Sequence, residues 1–215
     1  MSSASSGKFA GLSLWLVPRG PSGQAEALRK LMGNLRDEVA ASHGPTSVSA
    51  RFEPHVTLLA GLQEGKGWTR QAVWAKTLKV LKDKRQRGEA PIVCPLQDVV
   101  TRGSYFQCIV VALEKTKDLM GLNEAMRRAF SVDESEPSYF PHCSLVYADL
   151  DEEQADAEIA VMESQGVFKR EQGRAGITLD HMDHITLHAV ELWDSNGAVG
   201  DWRRLEEYVF SEVYQ

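Results

Sequence analysis

Apolar residues along this chain follow two patterns. In some stretches they form short continuous or alternating runs, and in others they recur every three or four positions, which separates strands from amphipathic helices. The order that results is a strand over 12–17, a helix over 24–42, a strand over 55–60, a helix over 69–82, and strands over 92–101 and 105–113. Arg102-Gly103-Ser104 separates the last two, a short glycine-containing connection suited to a hairpin. The order then recurs. The strand over 105–113 leads to a helix over 115–130, a strand over 142–147, a helix over 152–165, and strands over 177–180 and 184–193.

Helices mixed with strands that are partly joined by hairpins indicate an α+β protein, not a doubly wound parallel sheet. The expected architecture is a bilobal, duplicated fold of two antiparallel sheets with outer helices, facing each other across a central cleft. No linker divides the chain, because the stretches richest in glycine and charge, 82–90 and 169–176, fall inside the two copies. One domain over 1–215 is therefore expected, with repeats at about 9–102 and about 105–195 and a flexible start at 1–7.

The middles of the copies match position by position. Phe52-Glu53-Pro54-His55-Val56-Thr57-Leu58 stands against Tyr139-Phe140-Pro141-His142-Cys143-Ser144-Leu145. On a strand, residues i and i+2 share a face, so His55 and Thr57 emerge together while Val56 and Leu58 point into a core. His142 and Ser144 do the same. Duplication of a fold repeats apolar positions, but it has no reason to repeat a polar pair. In-line attack on phosphorus needs a base on one side and an acid on the other, and two imidazoles with an ordinary pKa of ~6.5 supply both near neutral pH. The hydroxyls of Thr57 and Ser144 can donate to non-bridging phosphoryl oxygens, where charge increases in the transition state.

Composition narrows the class without adding chemistry. At 215 residues about 70% of the unfolded surface can be buried, so a core needs no staples. The 43% hydrophobic and 25% charged fractions exclude fibrous and disordered classes. A net charge of −6 argues against a protein that coats nucleic acid, so no stable nucleic-acid partner is expected. The local basic stretch over 66–87, with Lys66, Arg70, Lys76, Lys79, Lys82, Lys84, Arg85 and Arg87, reads either as a solvated helix face or as a phosphate funnel. Cys94, Cys108 and Cys143 make neither a disulfide framework nor a zinc motif. The polar first seven residues read as no signal peptide, and no apolar run approaches the ~20 residues of a membrane span. A cytoplasmic monomer is expected.

With both motifs in view, the chain resembles the two-histidine (2H) phosphoesterase superfamily, whose signature is a pair of His-x-Thr/Ser motifs; His142 follows His55 by 87 positions. Within it, the chain is most similar to the small cyclic phosphodiesterases of fungi and plants. The resemblance implies a bilobal fold with a wet cleft, and hydrolysis of nucleoside 2′,3′-cyclic phosphates to 2′-phosphates. It also implies action on ADP-ribose 1″,2″-cyclic phosphate, a by-product of transfer RNA splicing, with no metal and no cofactor. His55 and His142 would be acid and base, in either assignment, and Thr57 and Ser144 the phosphate donors. Trp15 and Tyr147 resemble aromatics placed beside the substrate, where a ring face can stack a base or ribose for ~1–3 kcal/mol. Trp15 reads equally as a core residue. Strict alternation puts Tyr147 on the face opposite His142 unless the strand has ended. Fungal relatives raise peripheral attachment to the Golgi.

Other readings compete. His181, Asp183, His184 and His188, with Asp180, suggest a metal, but His184 and His188 would sit about 13 Å apart along a strand, so a polar turn is expected. His184-Ile185-Thr186 is a third His-x-Thr without the aromatic and proline lead-in, and is read as chance. A 2H enzyme acting on RNA ends (a 2′,5′ ligase or exonuclease) and a noncatalytic nucleotide-binding module are the alternative functions.

Overall fold

The computed structural model describes residues 8–19, 23–63, 65, 67–85, 91–132, 137–170, 173 and 175–210. The first half runs β1 (Lys8–Phe9), β2 (Leu12–Val17), α1 (Gln24–His43), β3 (Val56–Leu62), α2 (Arg70–Arg85) and β4 (Ile92–Val100). The second runs β5 (Ile109–Leu113), α3 (Lys117–Ala129), β6 (His142–Val146), α4 (Glu152–Ser164), β7 (Phe168–Arg170), β8 (Ile177–Leu179), β9 (His184–Leu187), β10 (Ala189–Asp194), β11 (Gly197–Ala198) and β12 (Arg203–Val209).

Eight antiparallel strands lie in the order β12-β10-β2-β3-β6-β5-β4-β9. The two halves of this order meet at β3 and β6 through a single paired position, Val56 opposite Cys143. Each copy gives its closing strand to the other half: β4 pairs with β5, and β10 pairs with β2. One residue, His188, separates β9 at one end of the order from β10 near the other. The sheet must therefore curl until its ends approach, which sets the halves face to face. This bears out the expected α+β architecture and joins its two sheets at their shared edge.

Alternation decides what faces the cleft. Leu14 and Leu16 of β2 enter the main core, which the helices cover, while Trp15 and Val17 join a second cluster with Ala189, Trp193 and Trp202 on the opposite face. Helix α1 covers the core with Leu28, Leu31, Met32, Leu35 and Val39, each of which has another of the set three or four positions away. Helix α4 starts at a capping box in which Asp151 and Gln154 satisfy each other's backbone N–H. The buried Asn123 of α3 donates to the Leu58 carbonyl at 2.8 Å, pinning a helix of the second copy to the motif strand of the first.

Two expectations need correction. The strand over 184–193 is two strands, because the His188 N–H donates to the Val17 carbonyl and its own carbonyl accepts from Phe210, so the chain crosses between halves there. The strand over 105–113 begins only at Ile109; Tyr105–Gln107 forms a 3-10 turn that brings the Phe106 ring edge-on to Tyr147, with Tyr105 packed against it. Of the basic stretch, residues 66, 86 and 87 and the side chains of Lys84 and Arg85 lie outside the described residues.

Candidate active site

Both motif histidines are fixed by the same local device. The Nδ1–H of His55 donates to the Glu53 carbonyl at 2.7 Å, and that of His142 to the Phe140 carbonyl at 2.8 Å. A carbonyl only accepts, so each ring carries its proton on Nδ1 and turns Nε2 away from the backbone. Both rings line one cavity of about 190 Å³, together with Thr57, Ser13, Trp15 and Tyr147. The leading aromatic of each motif braces the other copy. Phe52 stacks on Tyr147 with centroids 3.9 Å apart, and the Tyr139 hydroxyl donates to the Thr57 carbonyl at 3.0 Å.

Strand β6 has ended by Tyr147, which frees its ring from the alternation. Its hydroxyl donates to His55 Nε2 across a long 3.4 Å contact, and burial holds its phenol protonated far above the ordinary range. Ser144 is buried beneath the same ring and donates to the Phe106 carbonyl at 3.2 Å; it is not among the residues that line the cavity, whereas Thr57 is. Trp15 is sandwiched. The His55 ring stacks on it at 3.6 Å and 6°, and Trp193 stacks at 4.2 Å and 22°. Two near-parallel rings this close must take opposite faces of the indole, so its edge, not its face, is left for a ligand.

Behind this stack lies a feature that sequence reasoning missed. Glu191, fully buried on β10, accepts from Trp193 Nε1 at 2.7 Å, Arg19 Nε at 2.5 Å and Arg204 Nη1 at 3.0 Å. A buried carboxylate is tolerated only when paired in this way. It holds Trp193, which holds Trp15, which holds His55. The signal was the alternation Ala189, Glu191, Trp193 against Val190 and Leu192. Also missed were Trp202, Phe106, Phe9 and Ser195, which line the cavity. Trp202 Nε1 and Ser195 Oγ are buried without a hydrogen-bond partner, and such groups in a native fold call for an explanation.

The other candidates lie elsewhere. His184 Nδ1 bonds to Asp183 at 2.6 Å on the edge strand β9, and His188 Nδ1 donates to the Thr186 carbonyl. Arg70 pairs with Glu206, and Lys76 donates to the Ala129 carbonyl beside Trp68 and Phe130. Neither lines the cavity of the two histidines.

The environments of the two imidazoles differ. Burial pushes His55 down to about 4 from its ordinary 6.5, opposed by its bond to Glu53 and reinforced by the charge of His142. His142, half-buried, is lowered too, by burial first and then by Arg102, against its bond to Phe140. The drop at His55 corresponds to about 3 kcal/mol against the charged ring. A stacked indole favours an imidazolium by ~1–2 kcal/mol, too little to reverse the balance. His55 is neutral at pH 7.

A consequence for stability follows. Above pH 6.5 the folded and unfolded chains both hold His55 neutral; between 6.5 and about 4 only the unfolded chain takes up the proton, so stability falls as pH falls. Unfolding in denaturant at a series of pH values should show a loss of up to about 3 kcal/mol from this group over that window. In His55→Gln the slope should be markedly shallower; an unchanged slope would place the lowered group elsewhere.

Comparison with known proteins agrees with this geometry. The family model described as cyclic phosphodiesterase-like protein matches residues 10–210. The cyclic phosphodiesterase of Arabidopsis thaliana is 30% identical over 142 residues, covering 66% of this chain and 67% of that protein. The fold is similar to that of E. coli LigT, crystallised with 3′-AMP, with a TM-score of 0.53 at 13% identity over 95% of this chain and 99% of that one. TT0787 of Thermus thermophilus gives 0.51 at 13% identity over 94% and 99%. A match along nearly the whole chain, on a fold that brings two His-x-Thr/Ser strands to one cavity, places this protein in the cyclic phosphodiesterase-like family of 2H phosphoesterases.

Proposed function

We propose that the protein is a 2′,3′-cyclic-nucleotide 3′-phosphodiesterase that yields nucleoside 2′-phosphates, and that it also opens ADP-ribose 1″,2″-cyclic phosphate to ADP-ribose 1″-phosphate. The observation that carries this reading is the mirrored pair of imidazoles, each tied through Nδ1 to the carbonyl two residues earlier and each lining the same cavity. His55, neutral at pH 7, is the base: its Nε2 accepts a proton from water as the water oxygen bonds to phosphorus. His142, less buried than His55, is the acid: in its protonated form it gives its proton to the 3′ oxygen as the P–O3′ bond breaks, leaving the phosphate on the 2′ oxygen. Thr57 donates to a non-bridging oxygen, and Ser144 does the same once it turns from the Phe106 carbonyl. Tyr147 is displaced from His55 Nε2 by the attacking water. The pair works within one bilobal domain and needs no metal.

Purified protein given 2′,3′-cyclic nucleotides with EDTA present is expected to release only the 2′-phosphate, identified by phosphorus NMR. The kcat/KM profile should be a bell with its acid limb near pH 4, from His55, and its alkaline limb below 6.5, from His142. A 3′-phosphate product refutes the assignment of the leaving oxygen. Nucleotide binding without product makes the protein a noncatalytic module, and turnover of RNA ends alone makes it an RNA-end enzyme.

A further inference from the structure

The larger chamber beside the catalytic cavity takes no part in these proton transfers. It encloses about 310 Å³ and shares Trp15, Tyr147 and Trp202 with the catalytic cavity, so the two adjoin. Arg29, Arg36 and Arg51 line it, with Glu53. Each guanidinium is already oriented. Arg29 Nε donates to Glu53 at 2.9 Å, Arg36 donates to the Ser49 carbonyl and to Asp37 at 2.8 Å each, and Arg51 Nη2 donates to Asp37 at 2.7 Å. Three guanidiniums against two carboxylates leave a positive charge in excess, in a protein whose net charge is −6.

One detail ties this cluster to the catalytic pair. Glu53 belongs to both sites: its carboxylate holds Arg29, and its carbonyl holds His55 Nδ1. A group bound at the arginines is therefore joined to the catalytic imidazole through one residue.

We propose that this chamber binds a second phosphate of the substrate, so that the preferred substrate carries a phosphate beyond the cyclic one. A nucleoside 2′,3′-cyclic phosphate that is also phosphorylated on its 5′ oxygen is the simplest such molecule: it carries two phosphates on one ribose, and the two chambers adjoin at Trp15, Tyr147 and Trp202. Guanidiniums held in place suit this role because they bind phosphate through paired, charge-assisted hydrogen bonds. The inference rests on the proposed cyclic phosphodiesterase reading.

The test is binding, not turnover. In the His142→Ala protein, tryptophan fluorescence titrations compare uridine 2′,3′-cyclic phosphate with and without a 5′-phosphate. The 5′-phosphorylated ligand is expected to bind on the order of tenfold tighter or more. Arg51 is 69% exposed, so Arg51→Gln should leave the fold intact, which the melting temperature checks, and it should bring the ratio of the two affinities to within about twofold. Arg29→Gln should act in the same direction. Equal affinities in the parent protein, or a ratio that both substitutions leave unchanged, overturn the proposal. Failure of the parent protein to hydrolyse either compound would overturn the hydrolytic reading instead, and the affinity ratio would still decide on the subsite.

Discussion

His55→Ala and His142→Ala should each lower kcat by 10²–10⁴-fold while leaving a folded protein, and the double variant should fall little further than the worse single one. The reason is that base and acid act in one step, so removing either already removes the concerted transfer. The two variants should differ in pH dependence. Without His55 the acid limb near pH 4 disappears from residual activity, and without His142 the alkaline limb disappears. Glutamine at either position keeps a polar side chain but no titrating nitrogen, and should be nearly as inactive. Losses below about tenfold, or single effects that multiply in the double variant, would mean that the imidazoles do not act together.

The second large effect is expected at Glu191, which touches no substrate. Glu191→Ala leaves Trp193 Nε1 without its acceptor and two arginines without their shared carboxylate, and breaking a buried ion pair costs about 3–5 kcal/mol. Arg19 and Arg204 are 37% and 42% exposed and regain water, so the cost should lie toward the low end. Glu191→Gln keeps an acceptor for the indole and should lose less. In the protein that remains folded, kcat should fall more than KM rises, because a loosened Trp193 no longer holds Trp15 and hence His55. Denaturant unfolding, together with kcat and KM well below the melting temperature, would check both parts. A loss under 1 kcal/mol, or a change confined to KM, would remove Glu191 from the positioning of His55.

The halves of the site differed in how far the chain made them visible. The His-x-hydroxyl strands were legible because chemistry and backing lie within seven consecutive residues, and strand alternation alone puts His55 and Thr57 on one face. Trp193 and Glu191 were not, because they meet Trp15 only through the pairing of β10 with β2, across most of the chain. The same non-local pairing split the strand over 184–193 at His188. Strand β12 escaped notice because Arg203, Arg204, Glu206 and Glu207 mask its alternation, as suits an edge strand protected by charge. The arginine chamber gathers residues of α1 and the segment that follows it, which local periodicity does not bring together.

The central claim is that one phosphorus atom is gripped from two sides by His55 and His142. A crystal structure with uridine and vanadate, which adopts the five-coordinate geometry of phosphoryl transfer, addresses it directly. The vanadium is expected between the two Nε2 atoms, with each ring about 3 Å from an axial oxygen and Thr57 on an equatorial one. Vanadate bound away from the pair, or in contact with one ring while the other faces separate solvent, would contradict it.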